Sequence, residues 1–279
     1  MTDKSARQLS VQHIKEALQA QVVVGENLAD TYVTGIYASD LMSDVLAYGK
    51  TGSALLTGMN TIQAAISSYM AEFKVVVFLR GKKPTDDIRK FAQEKGLVVL
   101  GTKADMYDAC IKIAQIDGQL SASAKTAFGS KTEREKNIAA HKFSIDSKDF
   151  TKAGMISTEI KSILNAIGYD PVLVRRVAIS TYEGEMNVVM HALRADVSLK
   201  ASDKDISVVI HDEGKGIPDV EQAMQEGYST ATEEQRALGF GSGMGLPNIK
   251  KNSDLLNIAS EVGKGTRLEM KFFIKPAAK

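Results

Sequence analysis

The sequence predicts an α/β protein in two domains: an amino-terminal mostly parallel α/β domain over residues 1–118 and a carboxy-terminal α/β domain over 141–279, joined by a linker at 119–140. Three observations carry this. Short apolar runs closed by Gly alternate with helix-spaced segments through the first part of the chain, the pattern of buried strands and their crossover helices. Apolar density falls from Gln119 to Ala140, where Ser, Ala, Lys and Glu accumulate. At 279 residues the chain is long enough for two domains that each bury a core.

The first helix is expected from Val11 to Ala20, with Val11, Ile14, Ala17 and Leu18 on one face, leading into a strand at Gln21-Val22-Val23-Val24 that stops at Gly25. An apolar patch from Tyr32 to Tyr37 precedes Ser39-Asp40, which reads as the cap of a helix from Leu41 to Ala47. The alternation then repeats: a strand at Ser53 to Leu56, a helix at Thr61 to Met70, a strand at Lys74 to Leu79, a helix at Asp86 to Glu94, a strand at Leu97 to Leu100, and a helix around Met106 to Ile113. Loops at the carboxyl ends of these strands carry Gly with Thr, Asn or Arg. That edge of an open α/β sheet binds ligands, or the residues simply turn the chain. In the linker, Thr132 to Ala140 has the spacing to extend a helix.

The second domain opens with Lys142-Phe143-Ser144-Ile145, alternating enough for an edge strand, and helix signals from Lys152 to Ile167 stop at Gly168. Pro171 suits the start of the next helix, which carries Arg175 through His191. Val197 to Lys200 and Ile206 to His211 read as strands. Glu213 to Gly245 looks mobile, and the chain ends on a helix from Pro247 to Leu255, a turn at Gly263-Lys264-Gly265-Thr266 and a strand from Leu268 to Ile274.

Chemistry concentrates in three segments of this domain. The strand Ile206 to Ile210 delivers Asp212 into the glycine turn Gly214-Lys215-Gly216. A carboxylate there accepts a hydrogen bond from an exocyclic amine, and glycines let the backbone approach a flat ring, which suits adenine; alone, the segment is as readily a surface turn. Glu183, Asn187 and His191 are spaced i, i+4, i+8 on one side of a helix, where a polar stripe is the plain alternative. Glu185 lies off that side and is expected to be solvated, while Gly184 is expected to loosen the helix, at about 1 kcal/mol against Ala. His191 approaches phosphate or supports packing. Gly239, Gly241, Gly243 and Gly245 alternate with larger residues before a helix, so consecutive backbone N–H groups can meet phosphate, a flexible linker being the alternative. Lys250 and Lys251 are solvated or phosphate-binding, and Thr266 sits in a hairpin turn or near the base.

In this order the three segments resemble the N, first-glycine and second-glycine boxes of the GHKL ATPase and kinase superfamily, and their short spacing is most similar to the bacterial anti-sigma-factor serine kinases and their switch-protein relatives. The resemblance implies a GHKL-type α/β sandwich that binds ATP and Mg²⁺. It implies Glu183 as general base, Asn187 as the Mg²⁺ ligand, Asp212, Gly214 and Gly216 at the adenine, Gly241, Gly243 and Gly245 at the phosphates, and Thr266 at the adenine through water. It also implies a protein partner resembling a STAS anti-anti-sigma domain or a related signalling protein, and leaves a homodimer open. The function expected is ATP-dependent protein serine/threonine phosphorylation. A nucleotide-gated switch without turnover is the alternative, and a histidine-kinase-like ATPase a weaker one, because only His211 of the four histidines precedes an acid. Roughly residues 10–117 resemble the DRTGG domain, related to the amino-terminal domain of bacterial HPr kinases, and so read as a regulatory domain. Its name motif is absent, with Thr57-Gly58-Met59-Asn60-Thr61 in its place.

Composition narrows the partners. Lys and Arg number 35 against 34 Asp and Glu, so no bulk charge draws the chain to nucleic acid or an anionic membrane. Cys110 is the only cysteine, which excludes an intramolecular disulfide and a thiolate metal cluster and fits a reducing compartment; it is expected to be a buried apolar residue. No apolar run approaches the roughly 20 residues of a membrane helix, and Met1 to Ser10 is too polar for a signal peptide, so a cytoplasmic protein is expected.

Overall fold

The computed structural model describes residues 9–25, 30–120, 139–146, 153–237 and 241–274. The chain divides into two compact units, Met1–Lys131 and Thr132–Lys279. The helical extension read at Thr132 to Ala140 lies largely outside the described residues, except that Ala139 and Ala140 begin a strand.

The first unit runs α1 (Val11–Ala17), β1 (Gln21–Val24), β2 (Ile36–Ala38), α2 (Met42–Tyr48), β3 (Ala54–Thr57), α3 (Ile62–Met70), β4 (Val75–Phe78), α4 (Asp86–Lys95), β5 (Val98–Gly101) and α5 (Met106–Leu120). Its sheet has the order β1-β5-β4-β3-β2, parallel from β2 to β5, with β1 antiparallel on one edge. Strands β3 and β4 are buried along their whole length, which is why their sequences are continuous apolar runs. Asp40 does not cap α2. The N-cap is Leu41, while Asp40 Oδ1 accepts from Thr57 Oγ1 at 3.0 Å and Gly58 N at 2.6 Å, tying β2 to the turn after β3. Cys110 is only partly buried, on the rim of the core that holds Ile14, Leu56, Val77 and Leu100, and desolvation pushes its thiol up.

The second unit runs β6 (Ala139–Asp146), α6 (Met155–Ile167), α7 (Pro171–His191), β7 (Ala192–Ala201), β8 (Asp205–Gly214), α8 (Val220–Ala223), α9 (Glu233–Ala237), α10 (Gly245–Asn252), β9 (Leu255–Glu261) and β10 (Gly265–Phe273). All pairings in its sheet are antiparallel, in the order β6-β7-β8-β10-β9. Alternate residues on the central strands are buried: Val197 and Leu199 on β7, Ile206, Val208 and Ile210 on β8, Leu268, Met270 and Phe272 on β10. They face a layer of helices in which α7 packs on β7, β8 and β10 and is flanked by α6 and α10.

Two expectations for this unit change. The last helix ends at Asn252, and Leu255 opens a strand that pairs with β10 as a hairpin. Among its described residues, Glu213 to Gly245 is not one irregular stretch: β8 continues to Gly214, and α8 and α9 follow. Each short helix is capped, α8 by Asp219 Oδ1 accepting from Gln222 N at 2.9 Å, and α9 by reciprocal bonds between Thr232 and Gln235.

Candidate functional site

Helix α7 starts at an Asp170 cap whose Oδ1 accepts from Val172 N and Leu173 N, with Pro171 in the first position. From there it is continuous through Gly184 to His191. The glycine is there for space. A Cβ at Gly184 would lie 2.5 Å from Ile210 Cδ1 and 3.3 Å from Leu268 Cδ2, so the missing side chain lets α7 settle onto β8 and β10. Between Val177 and Val189 almost every residue is buried, because the sheet lies beneath the helix and another helix on either side.

That surrounding layer gives the two glutamates opposite partners. Glu183 is 4 % exposed and faces α10: Asn248 Nδ2 donates to its Oε1 at 2.7 Å. Burial pushes the Glu183 carboxyl up to about 7, with the Asn248 bond pulling the other way. Glu185, expected in solvent, is 2 % exposed and faces α6. Its carboxylate accepts from Gly154 N at 2.8 Å, Ile156 N at 3.3 Å and Ser157 N at 3.0 Å, satisfying the first-turn N–H groups of α6. Burial raises this carboxyl too, against the lowering effect of those bonds.

The start of α10 closes over the exposed end of the Glu183 side. A Cβ at Gly245 would lie 3.4 Å from Asn187 Oδ1 and 3.5 Å from Glu183 Oε2, so Gly245, Asn187 and Glu183 form one cluster. Ahead of it, Gly241 and Gly243 hold φ of 86° and 73°. A Cβ at Gly243 would fall on the backbone of Gly227 and Tyr228, and one at Gly241 on Ala231. These glycines therefore let the loop pack on the preceding segment. Gly239, with Phe240, lies outside the described residues. Ser242 Oγ is buried without a hydrogen-bond partner among the described residues. The segment between the glycine turns also reaches α7, where Gln235 Nε2 donates to Met190 O at 3.1 Å.

Asp212 is half-buried on β8. Burial raises its carboxyl, while N–H groups of Thr266 and Gly214 lower it; the Thr266 N bond to Oδ1 is 3.1 Å. Two glycines make the turn around it. A Cβ at Gly265 would fall on Asp212 O, and one at Gly216 on Glu261 O. Ser260 joins the pieces, accepting from Ile217 N at 2.7 Å and lying 2.8 Å from Thr266 Oγ1. Burial and then Lys215 lower the His191 pKa, favouring its neutral form. A cavity of about 540 Å³ opens here, lined from the carboxyl end of α7 by Met190 and His191 and from the turns by Gly214, Lys215 and Lys264. Lys250 and Lys251 are exposed on α10.

The structure thus gathers the predicted residues into two neighbouring groups along α7: Glu183, Asn187 and Gly245 toward its middle, and Asp212, Gly214, Gly216 and Thr266 with His191 at its end. Sequence reasoning missed Asn248, whose signal was an amide one turn into the helix after the last glycine, and Ser260, which sits on the unread strand β9.

Residues 163–276, spanning both groups, match the histidine kinase-, DNA gyrase B- and HSP90-like ATPase family. An anti-sigma F factor of Thermoanaerobacter sp. (strain X514) is 35 % identical over 112 residues, which cover 38 % of this chain and 75 % of that protein. The chain belongs to this ATPase family. The ATPase region is also similar to the serine/threonine-protein kinase RsbT of Bacillus subtilis (strain 168), 25 % identical over 113 residues, 39 % of this chain and 79 % of that protein. Residues 13–116, outside the ATPase region, match the DRTGG domain. The CBS and DRTGG domains of a Clostridium perfringens pyrophosphatase, solved with the activator diadenosine tetraphosphate, align with a TM-score of 0.35 and 16 % identity over 38 % of this chain and 46 % of that one. That likeness is too distant to carry the activator over.

Proposed function

We propose that this chain is an ATP-dependent protein serine/threonine kinase of the anti-sigma-factor type, acting in the cytoplasm on a hydroxyl of a partner resembling a STAS domain. One observation carries the reading: the Glu183 carboxylate of α7, buried against the start of α10 with Asn187 on the same side, its pKa pushed up to about 7. A general base works best when its pKa lies near the working pH. Glu183 takes the proton of the partner's hydroxyl as that oxygen bonds to the γ-phosphorus. The bond from phosphorus to the bridging oxygen breaks, and ADP leaves.

ATP fits the residues present. Asp212, held by Thr266 N, offers an acceptor to an exocyclic amine, the cavity beside His191 gives room for a purine, and the unpartnered Ser242 Oγ is a donor left for phosphate. Asn187 Oδ1, a neutral oxygen beside the phosphate loop, would hold Mg²⁺, which neutralises phosphate charge when bound. The DRTGG-like domain, residues 1–118, would set the response across the linker at 119–140, and self-association as a homodimer belongs to the same proposal.

A nucleotide-gated switch without turnover is the second reading, favoured by the Gln235 bond to Met190 O, which links the segment between the glycine turns to α7. Labelled-phosphate transfer from ATP to a co-purified partner separates the two. Glu183→Ala should reduce transfer by roughly 10²- to 10⁴-fold while nucleotide affinity is kept. Absence of transfer by the wild type, with ATP-dependent partner binding, would leave the switch.

A further inference from the structure

We infer that Asn248 is a positioning residue for Glu183, holding one carboxylate oxygen so that the other is presented to the substrate hydroxyl. The inference deepens the kinase reading and rests on it for its catalytic consequence. The geometry is independent of that reading. Asn248 is fully buried, its Nδ2 lies 2.7 Å from Glu183 Oε1, and both residues are enclosed between α7 and α10. With Oε1 engaged, Oε2 is the oxygen beside Gly245 and 3.5 Å from the place a Cβ there would occupy, on the side where Asn187 lies. One donor thus chooses which oxygen works and fixes the plane of the carboxylate.

The choice of α10 as the carrier matters. Asn248 stands three residues after Gly245, and its backbone N donates to Met244 O at 2.8 Å in the first turn of the helix that ends the glycine loop. Any movement of the phosphate-facing loop that shifts this turn also shifts the amide on Glu183, so loop engagement and base alignment are one event.

The neighbours leave Asn248 as the tuning group. Among the described residues, burial raises the Glu183 carboxyl, the Asn248 bond lowers it, and no charged side chain contributes; Asn187 on α7 and Gly245 on α10 are neutral. A hydrogen bond to the ionised form favours it, so loss of this donor drives the carboxyl further up. A residue that merely fills space would instead lower the rate by the same factor at every pH.

The test uses the full chain, with Asn248→Ala and the volume-keeping Asn248→Leu. Carbon-detected NMR should place the Glu183 carboxyl titration about one pH unit higher in either variant, whether or not phosphoryl transfer occurs. For kcat/KM toward the partner, the acid limb should move up by the same amount. The rate then falls about tenfold below the limb and is restored at high pH, with affinity for ADP unchanged. In the wild type the Asn248 side-chain amide signals should follow the Glu183 titration and lose that response in Glu183→Gln, a measurement that needs no foldable Asn248 variant. An unmoved Glu183 titration, or a wild-type amide indifferent to it, overturns the inference. A moved titration in a protein that transfers no phosphate upholds the Asn248 contact and rejects the kinase reading instead.

Discussion

Gly184 on α7 lies directly over Ile210 on β8, with the Ile210 Cδ1 atom 2.5 Å from where a Cβ would stand. Two effects then oppose each other in Gly184→Ala. Helix propensity favours Ala by about 1 kcal/mol, whereas forcing a methyl into a packed core costs about 1–3 kcal/mol. Ile210 is 2 % exposed and its flexible end must give way, so overpacking should win by about 1 kcal/mol. Urea denaturation should show this loss, and Ile210→Val, which removes the obstructing atom, should make the same glycine substitution neutral or stabilising.

The raised Glu183 carboxyl ties stability to pH. A group whose pKa rises from 4.5 to about 7 on folding takes up a proton in the native state, so its contribution is intact below pH 4.5 and is lost as pH climbs through about 7. The loss is on the order of 3 kcal/mol. Glu183→Gln, which stays neutral, should match the wild type near pH 4 and exceed it by about that amount near pH 8, read from denaturant midpoints. A constant difference between the two proteins across that range would mean that Glu183 stays ionised in the fold.

Much of this was legible in the sequence, for identifiable reasons. In the first domain, continuous apolar runs mark strands buried on both faces, and β3 and β4 are such strands. In the second, Asp212 sits near the end of β8 and the alternating glycines lead into α10, a placement legible from the apolar run before the one and the helix signal after the other. What failed was neighbour-dependent. A helix flanked on both sides has no solvated face, so the two glutamates of α7 could not be sorted by periodicity, and Glu185 was assigned to water. The strand β9 was missed because its outward residues include Leu255 and Ala259 and its inward ones include Ser260, so residue type does not mark the two faces that the burial alternates between. Asp40 was read as a cap from its place before a helix, yet its stronger donors come from Thr57 and Gly58 across the sheet.

Glu185 should prove structural. Glu185→Ala leaves the N–H groups of Gly154, Ile156 and Ser157 without their acceptor inside the protein, and adds a small cavity. The expected loss is about 3 kcal/mol, against about 1 kcal/mol for Glu185→Gln, which keeps one acceptor oxygen. Amide hydrogen exchange should report the change first in α6, with protection of α10 kept. Equal loss of protection in both helices would mean that Glu185 supports the whole layer rather than the start of α6.

The glycine loop offers a test that separates backbone strain from contact. Gly243 and Gly168 both have positive φ, 73° and 87°, but a Cβ at Gly168 meets open space whereas one at Gly243 lands on the backbone of Gly227 and Tyr228. The strain of placing Ala in the left-handed region is common to both, about 1 kcal/mol. Gly168→Ala should therefore lower stability by roughly that amount and leave affinity for a non-hydrolysable ATP analogue unchanged. Gly243→Ala must in addition push the loop off Gly227, disrupting the Gly227 N bond to Gly243 O at 3.1 Å. Backbone cannot yield as a side-chain end can, so the loop should lose its register before α10. Affinity should drop by about tenfold or more, equivalent to about 1.4 kcal/mol, in calorimetric titration. If the two variants bind the analogue equally well, the packing of the loop on Gly227 has no part in holding nucleotide.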